Sequence, residues 1–271
     1  MLQYGVMSAS ESESGLNEIQ RAASEQFARQ SHRYGKGHIL ADVSDVDAAL
    51  AGVPLNGRRH VLDVATGGGH TGLHLASLGH DVTLSDLTDA MLDRAREAEE
   101  ARGLKARFER HSAEAMPYAN GTFDLVTCRV APHHFSAPER FVAEVARVLV
   151  ADGHFVLIDG SVNDDEPEAE AWLHTVEKLR DPSHNRFLTP RAWTQLCEAV
   201  GLRVEVCRLA PRKQPDLEWY FETAATPAAN RTAVRELVAN APASARRLFR
   251  VAEEDGKVVW WWPMLTLVAR R

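Results

Sequence analysis

The sequence predicts a doubly wound α/β fold, with a mostly parallel sheet covered by helices on both faces. Residues 60–69 form a short apolar run that breaks into three glycines, and a helical pattern follows at once. A second apolar run, over 81–85, ends in Asp86. Strand and helix patterns then alternate as far as residue 159. Such alternation predicts parallel strands joined by right-handed crossovers.

Helical segments are predicted before and after this alternation. A leader over residues 1–15, rich in Ser, Glu and Gly, is expected to be disordered. Two helices follow, over 16–34 and 38–51, and residues 211–256 are expected to form a helical cap over the functional site. The seven predicted strands span 60–64, 81–85, 105–109, 123–128, 153–159, 202–209 and 264–269. The helices between them span 71–78, 89–102, 138–149, 168–179 and 190–200.

The last apolar run, residues 258–268, contains three adjacent tryptophans and Pro263. Proline has no N–H to donate to a central ladder. We therefore divide the run into an antiparallel final strand over 264–269 and an edge segment over 257–262. Trp260–Trp262 are expected either in the core or an interface, or as a substrate wall.

The glycines and Asp86 together indicate a nucleoside site. A glycine turn lets a ligand approach the backbone, because there is no Cβ to hold it away. An acid at the tip of the second strand, roughly 20 residues beyond the glycines, is the position that holds a ribose hydroxyl pair. The spacing Gly67-x-Gly69-x-x-Gly72 also matches a dinucleotide fingerprint loosely, so the glycines alone do not decide between nucleosides.

Composition and charge restrict the function classes. The 271 residues carry a formal net charge of −7, whereas a general nucleic-acid surface would need clustered Lys and Arg. Cys128, Cys197 and Cys207 lack paired spacing and are expected to be buried in a reducing compartment. There is no apolar run of about 18 residues and no signal pattern. We expect a soluble, cytoplasmic monomer or homodimer that binds neither membranes nor nucleic acid.

Six blocks of sequence, taken in order, resemble the class I S-adenosylmethionine-dependent methyltransferases. These blocks are Asp63–Gly69, Ser85–Leu92, His111–Tyr118, Phe123–Thr127, Glu144–Leu149 and Gly153–Asp159. The resemblance covers roughly residues 20–210 and implies the Rossmann-like methyltransferase fold. It implies that residues 16–271 form a single domain. The parts of this domain are an N-terminal lid (16–56), a cofactor-binding core (57–210), the cap insertion (211–256) and the final strand (257–271).

Three further segments are similar to the small-molecule branch that includes the ubiquinone and menaquinone biosynthesis C-methyltransferases. They are 27–34, 129–135 and 179–184, the last followed by Trp193. The chain departs from this branch in reading Thr-Gly-Gly-Gly where many relatives carry Gly-x-Gly. Its three adjacent tryptophans have no evident counterpart there. Both departures leave the expected cofactor site intact and leave the acceptor open.

The resemblance implies S-adenosyl-L-methionine as the cofactor and assigns residues to its methionine end. Gly67 and Gly69 would let the backbone approach, and Asp63 would support the loop and the cofactor amine. The other residues expected at this end are Tyr34, Ala65, Thr66, Arg129 and Val130.

At the nucleoside end, Asp86 would accept hydrogen bonds from both ribose hydroxyls. Thr88 or Asp89 is expected to serve as N-cap of the next helix, which leaves Asp86 free for this role. The adenine would be flanked by Leu87 and Met91, and its edge would be recognised by Ser112, Ala113 and Glu114.

Two adjacent histidines follow the strand over 123–128, in the loop that in class I enzymes leaves the sheet beside the transferred methyl group. Histidine is half-ionised near neutral pH without any perturbation. His134, and after it His133, are therefore the candidate catalytic acid or base. Alternatively, one histidine caps the next helix and the other packs against the cofactor.

No metal is expected. His70 and His74 have a metal-ligand spacing on one helix face, but no third ligand accompanies them. The metal-dependent catechol type would need an acid after the fifth strand and an Asp-Asn pair. Asp159 and residues 163–165 match that arrangement only loosely.

The sequence thus predicts methyl transfer by in-line displacement to a small-molecule acceptor, with oxygen favoured over carbon, nitrogen or sulfur. A pocket enclosed by cap aromatics would suit a small, flat or apolar acceptor. These aromatics are Trp172, Trp193, Trp219, Tyr220 and Phe221. Two alternatives remain: a methyltransferase-fold protein that binds the cofactor without methylating, as a scaffold or cyclase, and a NAD-type dehydrogenase.

Overall fold

The computed structural model describes residues 15–34, 38–57 and 59–271. The leader predicted over residues 1–15 lies, apart from Gly15, outside the described residues. Across these ranges no helix is both long enough and apolar enough to cross a membrane.

A mostly parallel sheet forms the centre of the fold. Its strands are β1 (His60–Val64), β2 (Asp81–Asp86), β3 (Arg107–Arg110), β4 (Phe123–Arg129), β5 (Leu149–Gly160), β6 (Arg203–Gln214), β7 (Ala252–Glu254) and β8 (Lys257–Arg270). The order is β3-β2-β1-β4-β5-β8-β6, and the short β7 pairs with β8. The first five strands are parallel, whereas β8 is antiparallel to both of its neighbours. The predicted doubly wound, mostly parallel sheet is confirmed, with β7 as an additional strand.

The strand order fixes where a ligand can bind. From β1 the chain winds outward through β2 and β3, and it then returns to β4, beside β1, to wind the other way. Open parallel sheets bind ligands in the crevice outside the carboxyl ends of the strands at such a switch point.

Helices cover both faces of the sheet. They are α1 (Glu18–Gln30), α2 (Ser44–Leu50), α3 (His70–Ser77), α4 (Asp89–Arg102), α5 (Pro138–Val148), α6 (Pro167–Arg180), α7 (Pro190–Ala199), α8 (Leu217–Ala224), α9 (Ala228–Ala239) and α10 (Ala243–Leu248). The alternation along β1 separates the two cores. Leu62 and Val64 join the core that contains α5 and α7, and Val61 joins the core of α2, α3 and α4.

The helix predicted over 38–51 begins only at Ser44. Residues Ile39–Ala41 instead form a 3-10 turn, and the chain is extended at Asp42. The Asp42 carboxylate accepts a hydrogen bond from the Ser44 backbone N–H at 3.0 Å. This local turn competes with a longer helix and delays its start.

The predicted division of the last apolar run is wrong, because β8 is one continuous strand from Lys257 to Arg270. Pro263 lies opposite Pro211 of β6, so neither residue needs to donate across that pair. The Pro263 carbonyl accepts from Ser161 on the other side, just beyond the last pair of β5 with β8. The missing N–H of Pro263 therefore falls where β5 has already ended.

Strand β6 also extends further than predicted, to Gln214 rather than to 209. It lies at the edge of the sheet, and most of its side chains are exposed. Cys207 is among them, so the expectation that all three cysteines are buried is wrong for this one. An edge strand has only one neighbouring strand, so its other edge is open to solvent.

The region after β6 contains helices α8, α9 and α10, which pack with α6 around a third core. Trp260 and Tyr220 are fully buried in that core, with ring centroids 4.4 Å apart. Helix α1 is attached to this region through Gln26 and Gln30, whose side-chain amides donate to the Ala224 carbonyl. The N-terminal helix and the cap region thus face each other over one end of the sheet.

Candidate active site

The turn after β1 is fixed from below by a buried acid. Asp63 accepts hydrogen bonds from the Thr127 and Thr66 hydroxyls and from the Gly72 backbone N–H. Burial raises the pKa of Asp63, while these hydrogen bonds act in the opposite direction. Gly72 has to be glycine, because a Cβ there would lie 2.7 Å from Leu84 Cγ. Asp63 therefore supports the turn from beneath and is not part of the cavity wall above it.

A cavity opens above this turn, at the carboxyl ends of β1, β2 and β4. Every residue predicted to bind the cofactor lines it, except Asp63 and Gly69. Gly69 instead has a positive φ of 81° at the start of α3, where a Cβ would touch Ala95 and Leu73. His134 also lines this first cavity.

Asp86 ends β2 and lies in the wall of the first cavity, with 8% of its surface exposed. Its carboxylate accepts from the Gly67 backbone N–H at 3.0 Å and from the Thr88 backbone N–H at 2.9 Å. Burial raises the pKa of Asp86 to about 6, against the effect of these bonds. Thr88 occupies the N-cap position of α4, as predicted, but its side chain makes no cap bond. Asp86 itself orders the turn into α4.

At the opposite end of the first cavity, Glu114 connects three parts of the chain. Its carboxylate accepts from the backbone N–H groups of Ser136 and Ala137, next to the start of α5. It also accepts from the side chain of Gln20 on α1. The Glu114 carboxylate thus holds α1 over the cavity, a role that the sequence did not indicate.

Helix α1, which belongs to the segment predicted as an N-terminal lid, contributes cavity-lining residues that the sequence did not single out. Gln20, Ala23, Ser24 and Phe27 all line the first cavity. Their spacing of three and four residues places them on one helix face. This periodicity is the signal that could have identified them.

A second cavity adjoins the first and shares part of its wall. Phe27, Tyr34, Leu40, Val130 and His134 line both. Burial raises the pKa of Tyr34 far above its ordinary value, so its hydroxyl stays protonated. Of the five cap aromatics expected around the acceptor, only Trp219 lines this second cavity, because the other four are buried in the hydrophobic cores.

His133 lines the second cavity and is paired with a buried acid. Its Nδ1 lies 2.6 Å from Asp159 Oδ1, and its backbone N–H donates to the other Asp159 oxygen at 2.9 Å. Burial lowers the pKa of His133, but the carboxylates of Asp159, Asp181 and Glu177 together outweigh burial and raise this pKa above its ordinary value. Because Nδ1 donates to a carboxylate, Nε2 is left as the basic nitrogen, and no described residue bonds to it.

His134 stands between the two cavities in a different environment. Its Nδ1 lies 3.1 Å from the Ser183 carbonyl, and its ring meets Phe27 edge-on at 4.8 Å. Burial, together with the neighbouring His133, lowers the pKa of His134 to about 3. Its ring is therefore neutral across the physiological pH range.

Arg180 and Asp181, from the segment 179–184, also reach the second cavity. Arg180 pairs with Glu177 at 3.1 Å and stacks over the rings of Tyr220 and Trp262. The segment that resembles the small-molecule branch thus forms part of the wall of the second cavity.

Arg129, expected at the methionine end, lines the first cavity but is fully engaged by protein. It pairs with Asp45 at 2.8 Å and donates to the Leu40 and Asp42 carbonyls. These bonds fix the segment before α2 against the end of β4.

Several of the residues considered for a metal have protein partners. His74 bonds to Asp47 at 2.7 Å, and Asp165 pairs with Arg191. Across the described ranges, no three His, Cys, Asp or Glu side chains are grouped to hold a metal ion.

Comparison with known proteins identifies the family. A family model described as a methyltransferase domain matches residues 62–157. The uncharacterized methyltransferase YcgJ of Bacillus subtilis (strain 168) is 32% identical over 177 residues, which cover 65% of this chain and 70% of that protein. The demethylmenaquinone methyltransferase of Deinococcus radiodurans is 35% identical over 146 residues, or 51% of this chain and 60% of that protein.

A solved structure agrees with these relatives. A provisionally assigned methyltransferase from Bacillus halodurans C-125 has 30% identity and a TM-score of 0.78, covering 84% of this chain and 98% of that chain. The resemblance found in the sequence is confirmed. This chain belongs to the methyltransferase family.

Proposed function

We propose that this protein transfers the methyl group of S-adenosylmethionine, bound in the first cavity, to a small molecule bound in the second. The observation that carries the proposal is the shared wall between the two cavities. Methyl transfer requires donor and acceptor to meet in line at a few ångströms, and fixed orientation of reactants contributes roughly 7–11 kcal/mol to catalysis. Because Phe27, Tyr34, Leu40, Val130 and His134 line both cavities, a donor in one and an acceptor in the other would lie next to each other.

The residues of the first cavity fit the cofactor. Asp86 would accept hydrogen bonds from the ribose hydroxyls, since both of its oxygens keep lone pairs beyond their single backbone partners. Leu87 and Met91 would flank the adenine, and the turn at Ala65–Gly68 would approach the methionine end. When bound, the cofactor supplies a methyl group that its sulfonium has already activated.

A base faces the acceptor side. We assign that role to His133, because its Nε2 has no described partner and Asp159 strengthens it as a base. A hydroxyl acceptor would give its proton to His133 Nε2 while the oxygen attacks the methyl carbon. This arrangement supports an oxygen acceptor ahead of carbon, nitrogen or sulfur. His134, with its pKa near 3, is suited to packing between the two ligands.

Binding and turnover experiments test the proposal separately. Calorimetry should give S-adenosylmethionine binding at low micromolar Kd and no binding of NAD, and the reverse result would favour the dehydrogenase alternative. Incubation with methyl-labelled cofactor and a metabolite extract should give labelled small-molecule product. Cofactor binding without any labelled product from a broad extract would favour the scaffold or cyclase alternative.

A further inference from the structure

The charged groups in the wall of the second cavity are nearly all compensated by protein partners. Glu177 accepts from Arg180, from the Tyr220 hydroxyl and from Trp262 Nε1. Asp181 accepts from the backbone N–H and the hydroxyl of Ser183. The remaining pair, described above, joins His133 to Asp159. These groups have no need of a ligand.

Arg212 is the exception. It lies half-buried on β6, opposite Trp262 of β8, so the two side chains share a face and both line the second cavity. Its guanidinium has no hydrogen-bond or ion-pair partner among the residues that the structure describes. Burial lowers the pKa of Arg212; the carboxylates of Asp45 and Asp42, which line another cavity together with Arg212, oppose this, and the like charge of Arg129 adds to it. A desolvated, unpaired charge is costly, and an anion would remove that cost.

A second unsatisfied group lies two residues further along the same strand face. Gln214 is fully buried in the cavity wall, and its Oε1 has no hydrogen-bond partner in the described part of the chain. Its Nε2 donates to the Arg212 carbonyl at 3.2 Å, which fixes the amide next to Arg212. Buried polar atoms are normally paired, so this acceptor in a cavity wall is available to a donor on a ligand.

The rest of this wall is largely aromatic or apolar. Phe27, Phe187, Trp219, Trp262 and Met264 all line the second cavity. We propose, on the basis of the function proposed above, that the acceptor is an aromatic or apolar acid whose anionic group binds Arg212. A hydroxyl or N–H next to that group would donate to Gln214 Oε1. A guanidinium suits this task because its planar fork matches a carboxylate or a phosphate with two parallel hydrogen bonds.

Probe binding tests the site without knowledge of the acceptor. Benzoate, phenyl phosphate and the neutral benzyl alcohol would be titrated against the full chain, with tryptophan fluorescence as the signal, because Trp219 and Trp262 lie in the cavity wall. We expect at least one of the two anions to bind at least tenfold more tightly than benzyl alcohol. Benzoate ahead of phenyl phosphate would indicate a carboxylate, and the reverse a phosphate. Equal binding of all three compounds overturns the proposal.

Matched variants locate the probe. Arg212→Gln should weaken binding of the preferred anion at least tenfold, and Arg212→Lys should recover only part of it, because an ammonium lacks the planar fork. Arg208→Gln is the control, since Arg208 lies four residues away on the same strand but outside both cavities. Anion binding by Arg212→Gln equal to that of the wild type would also overturn the proposal. Thermal unfolding curves would verify that each variant is folded.

Product chemistry separates this inference from the proposed function. Labelled product from the extract would be divided on an anion-exchange resin, and we expect it in the retained fraction. Product found only in the unretained fraction would refute the anionic acceptor and leave methyl transfer intact. Arg212-dependent anion binding by a protein that does not bind S-adenosylmethionine would refute the proposed function and leave the anion site intact.

Discussion

The two cavities differ in what builds them. The first is lined mainly by short turns that follow β1, β2, β3 and β4, so its residues come from successive stretches of the chain. The second is lined by side chains from α1, the loop after β4, α6, β6 and β8, which are far apart in sequence. Parallel topology brings the strand ends of the first cavity together, whereas the second depends on how elements that are distant in sequence pack against one another.

The cavities also differ in their titrating groups. Asp86 in the first has its pKa raised to about 6 by burial. His133 in the second has its pKa raised by Asp159 and other nearby carboxylates, against the effect of burial. If the cofactor binds in one cavity and the acceptor is activated in the other, variants and pH should separate affinity from rate.

The largest effect is expected from His133→Ala. Loss of the base should lower kcat roughly 100-fold, since general-base catalysis contributes about 10²–10⁴-fold. The Kd for S-adenosylmethionine should stay the same, because His133 lines only the second cavity. Initial rates and calorimetry would measure the two quantities. His134→Ala is the matched comparison, and a greater loss of kcat there would assign the base to His134.

The next largest effect is expected from Asp86→Ala, which alters the first cavity. Hydrogen bonds to a charged group contribute about 1.5–3 kcal/mol, so the Kd for S-adenosylmethionine should rise roughly tenfold to 100-fold. Asp89→Ala serves as the control, because Asp89 is exposed and pairs with Arg110 at the surface. An unchanged Kd for Asp86→Ala would mean that this carboxylate only orders the turn into α4.

The pH dependence should separate the two cavities without mutation. The base must be neutral, so kcat should fall about tenfold per pH unit below an inflection set by the raised pKa of His133. Cofactor affinity should weaken below about pH 6, where Asp86 takes up a proton and loses an acceptor. Asp159→Asn should move the kcat inflection to lower pH and leave the affinity profile in place. A kcat that stays level down to pH 5 would exclude His133 as the base.

The smallest effect is expected from Trp262→Phe. This change removes the Nε1 bond to Glu177 and part of the second cavity wall, and it should raise the KM for the acceptor a few-fold. Trp261→Phe is the control, because Trp261 contacts Lys213 and Arg250 outside both cavities. Equal KM values for the two variants would remove Trp262 from the acceptor site.

The first cavity could be predicted because its signals are local. The glycine turn after β1 and the acid at the end of β2 lie roughly 20 residues apart, and parallel topology places both at the same edge of the sheet. The pairing of His133 with Asp159 was also within reach. Both residues follow or end neighbouring parallel strands, whose carboxyl ends meet.

The second cavity could not be predicted in the same way. The positions of Arg212 and Trp262 depend on the antiparallel register of β6 and β8. That register places Pro211 opposite Pro263 within one continuous strand. The sequence predicted a break at Pro263 instead, because a proline considered alone indicates the end of a strand. The hydrogen bond from the Thr88 backbone N–H to Asp86 was missed for a related reason. Any nearby side-chain oxygen can cap the start of a helix, and the sequence alone does not show which of them lies close enough.

The exposure of Cys207 has a practical consequence. Burial raises the pKa of the Cys128 thiol, and it raises that of Cys197 to about 12, so neither should form a thiolate near neutral pH. A maleimide dye would therefore attach at Cys207 alone, without any engineered substitution. That position is on the same strand as Arg212, five residues away. The native chain thus offers one attachment point for a fluorophore that reports acceptor binding from outside the cavity.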